Sequence, residues 1–194
     1  MKTIKQNELT CEIEIKKSKF IAFCFKVFSI NDVTTILNKF SSSYADATHI
    51  CFAYKLDNNI HCFDDGEPSG TAGKPILNVI IKKDLNNILI IIVRYFGGIK
   101  LGAGGLTRAY TEATTKVLSL AQIEDEKSMY QIFFHISYDK AFKIYTLASL
   151  GYFDILQRIG NDFIILTSPN LLNTSLNELK ILNATKIDAK LIKV

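Results

Sequence analysis

The sequence predicts a mixed α+β protein of two domains, residues 1–127 and 128–194. Three observations support this. The aliphatic run NILIIIVRYF is typical of a buried central strand, and a glycine-rich segment and an amphipathic helical pattern follow it. The charged stretch EDEKS at 124–128 then separates two apolar patterns. The pattern after it predicts the order β-α-β-β-α-β of a ferredoxin-like fold.

The elements of the first domain follow from apolar spacing and turn signals. DNN is a turn-forming triplet between two apolar runs, and Pro75 suits the first turn of a helix. After a polar lead-in, the predicted elements are a strand at 20–27, a helix capped by Ser29 or Asn31, a hairpin of 48–56 and 60–63, a helix at about 75–82, the aliphatic strand, and a helix at 106–122.

The second domain shows six elements of alternating periodicity. Gly151 stops its first helix, and the triplet GND marks a turn between its second and third strands. The predicted elements are strands at 129–137, 152–158, 163–167 and 186–192, with helices at 139–150 and 171–183.

Composition indicates an ordinary globular protein with a mild basic bias, since 48% of residues are apolar and the net charge is +4. The first residues lack an apolar signal region, and the aliphatic run is shorter than a membrane span. We therefore expect a cytoplasmic protein without a membrane partner. The scattered cysteines are expected to be reduced thiols, and they are Cys11, Cys24, Cys51 and Cys62. Oligomeric state does not follow from the sequence.

The glycine segment, VRYFGGIKLGAGGLTRAY at 93–110, is the first candidate site. A strand that ends in glycines before a helix directs backbone amides and a helix N-terminus into one space, which suits an anion. The predicted phosphate-binding residues are Arg94, Gly97, Gly98, Lys100, Gly102, Gly104, Gly105 and Arg108. The segment lacks the ending of a Walker A loop, and Thr107 replaces the last glycine of a dinucleotide fingerprint. A tight turn in which glycines only permit close packing is the alternative.

The acidic loop, DDGEPSGTAGK at 64–74, is the second candidate site. Its carboxylates could bind a cation or act as a general base, and its hydroxyls could contact phosphate. The residues concerned are Asp64, Asp65, Glu67, Ser69 and Thr71. The spacing differs from a calcium-binding EF-hand loop, and a solvated turn that caps the next helix is the alternative.

His49, Cys51, His61 and Cys62 match a zinc set in residue type. On strands, however, adjacent His61 and Cys62 point to opposite faces, so we predict no metal and no cofactor. Cys51 and Cys62 are instead expected in the core, with His49 partly buried and hydrogen-bonded. Tyr95 and Phe96 could stack on a base or lie buried under the glycine segment. We interpret His135, which has no obvious partner in the sequence, as structural.

Four segments together resemble the IMPACT/YigZ family, and they are KKSKFIA at 16–22, ATHICFAY at 47–54, DDGEPSGTAGKPIL at 64–77, and the glycine segment. The resemblance implies a first domain with the fold shared by a small-subunit ribosomal protein and the GHMP kinases. It implies a second domain similar to the last domain of elongation factor G. Eukaryotic family members are translational regulators, but that role depends largely on an extra domain. For the bacterial type, the resemblance implies a link to nucleic acid, ribosomes or translation without an established reaction.

Three hypotheses of function follow. The first is a non-enzymatic factor that binds RNA or the ribosome through phosphate contacts in the glycine segment, with a protein partner in translation also open. The second is a phosphometabolite- or nucleotide-binding enzyme that uses the acidic loop for a metal or a proton. The third is a protein-binding adaptor.

Overall fold

A computed structural model of the protein describes residues 1–193 and divides the chain into two compact units. The first unit is Met1–Glu126, and the second begins at Lys127. The described residues form three sheets together with helices in both units, so the mixed α+β class is confirmed. Residue 194, which the predicted second domain includes, lies outside the described residues.

The first unit contains seven strands and three helices among its described residues. In chain order they are β1 (Lys2–Ile4), β2 (Glu8–Ile15), β3 (Ser18–Lys26), α1 (Ile30–Ser43), β4 (His49–Leu56), β5 (Asn59–Phe63), α2 (Gly73–Lys82), β6 (Ile88–Tyr95), α3 (Gly102–Ser119) and β7 (Ile123–Asp125).

Five of these strands form one antiparallel sheet in the order β2-β3-β6-β4-β5. The aliphatic run forms β6 at its centre, where Leu89, Ile91 and Val93 contact the core on the α1 side. Ile90 and Ile92 contact the core formed with α2 and α3. Because helices cover both faces, a continuous apolar run is the pattern that this position requires.

The helix starts show which capping signals operate. Ser29 caps α1, since its hydroxyl accepts a hydrogen bond from the Asp32 N–H at 3.1 Å and the Asp32 carboxylate accepts one from the Ser29 N–H at 2.9 Å. This reciprocal capping box confirms Ser29 rather than Asn31. The predicted start of α3 at Leu106 was wrong, because the helix begins at Gly102 and includes three glycines in its first turn.

Two segments predicted to lack regular structure form strands. The polar lead-in contains β2, in which Leu9, Cys11 and Ile13 alternate with polar residues and pack against the core. The charged stretch after α3 begins within β7, which pairs with β1 in an antiparallel two-stranded sheet. The prediction of irregular structure was wrong for both segments. In β2, alternation with charged residues still buries one face, and β7 forms through its pairing with β1.

The second unit has the predicted order of strands and helices. Its elements are β8 (Ser128–His135), α4 (Ala141–Ser149), β9 (Asp154–Ile159), β10 (Asp162–Thr167), α5 (Leu172–Ile181) and β11 (Thr185–Lys193). The strands form an antiparallel sheet in the order β11-β8-β10-β9. Phe134, Phe163, Ile144 and Leu179 lie in one core that joins the sheet to both helices.

The described residues include no helix that is long and apolar enough to cross a membrane.

Candidate functional site

A buried ion pair joins the two candidate segments of the first unit. Arg94 lies near the end of β6, and its Nη1 donates a hydrogen bond to Glu67 Oε1 in the acidic loop at 2.6 Å. The side chains are 6% and 3% exposed, respectively. A charge at the end of an apolar strand needs a partner when it is buried, and Glu67 is that partner. The positive charge of Arg94 is therefore already neutralised by the protein.

Glu67 also connects this pair to α3. The Tyr110 hydroxyl donates a hydrogen bond to the same Oε1 atom at 2.7 Å. Burial raises the pKa of Tyr110 well above its usual range, and its neighbours Cys51 and Glu67 raise it further, so the hydroxyl keeps its proton and acts as a donor. One carboxylate oxygen thus links the acidic loop, β6 and α3.

The guanidinium of Arg94 contacts two aromatic rings. Its Cζ is 5.4 Å from the ring centroid of Phe20 and 5.6 Å from that of Phe96. Nη2 donates to the Ser18 hydroxyl at 3.4 Å, while Nε is buried without a hydrogen-bond partner among residues 1–193. Ring faces attract a cation, so they partly compensate for the water that Arg94 loses on burial.

His49 stands on the other side of Glu67, with its Nε2 3.8 Å from Glu67 Oε2. Its Nδ1 lies 2.7 Å from the backbone oxygen of Asp65. A carbonyl oxygen can only accept a hydrogen bond, so we assign the hydrogen to Nδ1. In the neutral ring, Nε2 then carries a lone pair. The expected partly buried, hydrogen-bonded His49 is confirmed.

Asp64 performs a structural role at the start of α2. Its Oδ1 accepts hydrogen bonds from the N–H groups of Ala72 and Gly73 at 3.0 and 2.8 Å, and its Oδ2 accepts one from Gly70 at 2.8 Å. Burial raises the pKa of Asp64, but these backbone donors together outweigh it, so the pKa lies below its usual value. Both carboxylate oxygens are therefore occupied by the backbone, as the capping alternative predicts.

The remaining residues of the acidic loop are used differently. Asp65 Oδ2 accepts a hydrogen bond from the Ile50 N–H at 2.6 Å, which attaches the loop to β4. The Thr71 hydroxyl donates to the Pro68 carbonyl at 2.6 Å, and Ser69 is exposed. In the described part of the chain, no group of three or more histidine, cysteine or acidic side chains is placed to hold a metal ion.

Gly97 and Gly102 of the glycine segment both occupy positions that favour glycine, for different reasons. A Cβ on Gly97 would collide with the backbone of Lys17, so this glycine permits a close approach between the end of β6 and the β2–β3 turn. Gly102 has a φ of +71° and open space around its missing Cβ. The glycine segment thus permits close backbone packing at Gly97 and leaves the start of α3 sterically open at Gly102.

The N-terminus of α3 has its amides available. Within residues 1–193, no side chain caps this helix, and its first turn contains no acidic residue. Lys100 precedes it and is exposed, as is Arg108, whose Nη1 would lie 3.9 Å from a Cβ on Gly104. Such a helix start carries a partial positive charge and unpaired N–H groups.

A cavity of about 440 Å³ opens between this helix start and the ion pair. Polar groups and the helix start form part of its lining, and apolar side chains form the rest. The lining residues are Thr48, His49, Glu67, Pro68, Arg94, Phe96, Lys100, Leu101, Gly102, Ala103 and Leu106. This volume lies within the range of about 300–1,000 Å³ that small-molecule sites have.

The structure brings together some of the predicted site residues and separates others. Arg94, Lys100, Gly102, Glu67 and His49 line one cavity. Tyr95 instead donates its hydroxyl to the Asp46 carboxylate at 3.1 Å and does not line the cavity. Other predicted residues likewise do not line it, namely Asp64, Asp65, Ser69, Thr71, Gly97, Gly98, Gly104, Gly105 and Arg108.

Sequence reasoning missed the roles of Tyr110 and Ser18 in this site, whereas Phe96, which was expected to stack on a base or lie under the glycine segment, lines the cavity. Tyr110 lies within the helix predicted at 106–122, but the sequence does not reveal which group the hydroxyl of a buried tyrosine contacts. The sequence likewise contains no indication of a partner for His135, although its Nδ1 lies 2.7 Å from Asp162 Oδ1 in the second unit. The two residues face each other across β8 and β10, a register that only the folded sheet provides.

Fold and site together define a two-unit α+β protein whose first unit carries a charged cavity at a helix start. The family profile of the Impact N-terminal domain matches residues 16–118. This protein belongs to the IMPACT family.

Individual relatives agree with this assignment. The chain is 42% identical over 121 residues to IMPACT family member YvyE of Bacillus subtilis, covering 61% of this chain and 56% of that relative. It is 34% identical over 136 residues to an IMPACT family member of Haemophilus influenzae, covering 66% of each. The chain thus spans roughly three fifths of the length of these relatives.

A crystal structure of a hypothetical protein aligns with 98% of this chain and 95% of its own, with a TM-score of 0.63 at 24% identity. This similarity shows a shared fold.

Proposed function

We propose that this protein is a non-enzymatic factor that associates with RNA or the ribosome and acts in translation. Membership of the IMPACT family supports this role, because a link to nucleic acid, ribosomes or translation is expected of its bacterial members. Protein partners in translation fit the same role. A cytoplasmic location is part of this proposal.

The proposal extends to the folds of the two units. For residues 1–127 we propose the fold shared by a ribosomal protein and the GHMP kinases. For residues 128–194 we propose the ferredoxin-like fold, as in the last domain of elongation factor G. The β-α-β-β-α-β order and the strand order β11-β8-β10-β9 support the second assignment.

The uncapped start of α3 is the observation that carries the phosphate part of the proposal. Its free amides and partial positive charge suit a phosphate oxygen, and Gly102 leaves the approach open. Lys100 and Arg108 are exposed and form no ion pair with any residue of 1–193, so their charges are available. Arg94 contributes less direct charge than the sequence predicts, because Glu67 neutralises it. In this proposal Arg94 is a structural residue that fixes the position of Glu67 in the cavity lining.

Charge reversal tests this proposal. The variants Lys100→Glu and Arg108→Glu are compared with Lys39→Glu, which changes an exposed lysine on α1, across the sheet from α3. Co-sedimentation with ribosomes and fluorescence anisotropy with a single-stranded RNA measure binding, and thermal unfolding checks the fold. We expect weaker binding for the first two variants only. The slope of log affinity against log salt should fall by about 0.7 for each lost phosphate contact. An affinity for RNA that stays constant between low and moderate salt would refute the proposal.

A second candidate function is a phosphometabolite- or nucleotide-binding enzyme, and the cavity itself favours it. Its size suits a small molecule, and His49 and Glu67 place an imidazole near a carboxylate. Asp64 contributes little to this candidate, because three backbone donors occupy it. A thermal-shift panel of phosphometabolites and nucleotides separates the candidates. Turnover of one of the compounds that bind supports the enzyme, whereas the non-enzymatic factor predicts that no compound is turned over.

A further inference from the structure

Two hydrogen-bond acceptors face each other without a donor in the cavity at the start of α3. Glu67 Oε2 makes no hydrogen bond within residues 1–193, whereas Oε1 accepts two. Nε2 of His49, which is an acceptor when the ring is neutral, lies 3.8 Å from Oε2, which is beyond hydrogen-bond distance. The Glu67 side chain is only 3% exposed. Neither of these two acceptor atoms is among the fully buried polar atoms without a partner in residues 1–193, so both are accessible in the cavity that Glu67 and His49 line. A ligand that supplies N–H groups can therefore reach this pair of acceptors.

The rest of the cavity restricts the shape of that ligand. Phe96, Leu101 and Leu106 provide an apolar lining, and the ring of Phe96 is 46% exposed and able to stack. Lys100 and the first residues of α3 lie in the same lining. A matching ligand therefore combines a flat ring, N–H donors on one edge and an anionic group.

A guanine nucleotide has this combination. The guanine pairing edge carries two adjacent donors, N1–H and the 2-amino group, which two acceptors can receive together. Adenine and cytosine place an acceptor beside their amino group, and uracil has a single N–H between two carbonyls. Only guanine among the four common bases offers neighbouring donors without an acceptor between them.

We propose that this cavity binds one guanine nucleotide. Its N1–H and amino groups donate to Glu67 Oε2 and His49 Nε2, its ring packs on Phe96, and its phosphate lies at Lys100 and the first turn of α3. The inference rests on the phosphate role proposed above for the same helix start. The nucleotide can be an unpaired guanosine of an RNA or a free guanine nucleotide, since both present the same chemistry.

Equilibrium binding to the full chain tests the base preference. The probes are GMP and AMP, measured by calorimetry, and two short single-stranded RNAs that differ by one guanine-to-adenine change, measured by anisotropy. Paired hydrogen bonds to a base edge typically discriminate by about tenfold or more. We expect GMP to bind at least about tenfold more tightly than AMP. If the guanine-containing RNA binds more tightly than GMP, RNA is the source of the guanine nucleotide. If GMP binds more tightly than that RNA, the free nucleotide is the source.

Two variants locate the contacts. His49→Ala removes one acceptor, so we expect GMP affinity to fall towards that of AMP while AMP affinity stays constant. His135→Ala is the matched control, because it removes an imidazole from the second unit and should leave both affinities unchanged. Phe96→Ala removes an exposed ring and should weaken both nucleotides, which tests the cavity even if the His49 variant fails to fold.

Equal affinities for GMP and AMP, or unchanged GMP binding in Phe96→Ala, would overturn this inference. Retained RNA binding that depends on Lys100 but not on guanine overturns it while leaving the proposed function intact. Selective GMP binding without RNA or ribosome association has the opposite meaning, because it supports the guanine site and refutes the proposed function.

Discussion

Removing the charge of Glu67 tests how strongly the buried ion pair stabilises the first unit. In Glu67→Gln, the guanidinium of Arg94 stays buried and charged but loses its carboxylate partner at 2.6 Å. Breaking a buried pair by removing one partner costs about 3–5 kcal/mol. We therefore expect the free energy of unfolding to fall by about 3 kcal/mol, at the low end of this range, since the glutamine oxygen can still accept hydrogen bonds. A loss of this size is a large share of the roughly 5–15 kcal/mol that stabilises a typical domain.

Glu12→Gln is the matched control. Glu12 pairs with Lys19 at 2.7 Å, which is close to the buried distance, but the two side chains are 51% and 44% exposed. Exposed pairs contribute at most about 1 kcal/mol. The two glutamate-to-glutamine changes therefore differ mainly in burial, so the difference between their effects measures what burial adds.

The double variant Glu67→Gln with Arg94→Met separates two contributions to the loss of stability. One is the lost attraction between the two charges, and the other is the cost of leaving the Arg94 charge buried without a partner. The double variant removes both charges and fills the space with an apolar chain, so we expect it to be more stable than Glu67→Gln alone. Urea unfolding followed by circular dichroism gives the overall change, and hydrogen exchange of the β6 amides reads the first unit itself. Equal losses in Glu67→Gln and Glu12→Gln, or a double variant less stable than the single one, would refute the reasoning.

Three further predictions concern individual positions. Gly97→Ala should strongly lower the melting temperature because its Cβ collides with backbone, whereas Gly104→Ala, in a helix with room for a Cβ, should raise stability by up to about 1 kcal/mol by calorimetry. Because the pKa of Asp64 is lowered on folding, its contribution to stability is present above its ordinary value of 3.8 and is lost as the pH falls below it. Acid unfolding of Asp64→Asn should therefore show a weaker pH dependence than that of the wild type. Burial raises the pKa of both Cys24 and Cys51 to about 12, so few of these thiols are ionised at pH 8. Mass spectrometry after iodoacetamide treatment at pH 8 should show both unmodified, while the less buried Cys62 reacts.

The order of elements was largely predictable because apolar spacing is a local property. The strand β6 and the helix α1 have patterns that their own residues reveal. The pairing of β1 with β7 is different, since each has three residues and the partners lie at opposite ends of the first unit. Such short strands depend on non-local pairing, which a periodicity argument cannot detect. The start of α3 at Gly102 was not predictable either, because glycines have a low helix propensity. In the folded protein, tertiary packing overrides that propensity.

The sequence predicted some residues of the cavity, namely Arg94, Lys100, Gly102, Glu67 and His49, but not the contacts between them. Arg94 at the end of an apolar strand implies a carboxylate partner, yet Asp64, Asp65 and Glu67 all lie in the acidic loop and are equivalent by sequence. The fold decides between them, because Asp64 accepts bonds from the α2 start and Asp65 from β4. The remaining carboxylate, Glu67, is the one that faces Arg94. The role of Tyr110 depends on the same three-dimensional arrangement and has no sequence signal.

The carboxylate of Glu67 joins three separate parts of the first unit, and this has a consequence for ligand recognition. Because Arg94, Glu67 and Tyr110 hold one another before any ligand arrives, this wall of the cavity is preorganised. A ligand then loses little affinity to ordering the receptor. The same arrangement makes recognition conditional on folding, because the wall exists only when the loop, β6 and α3 are all in place. A bound ligand would therefore protect all three parts from local unfolding together, although it touches only a few of their residues.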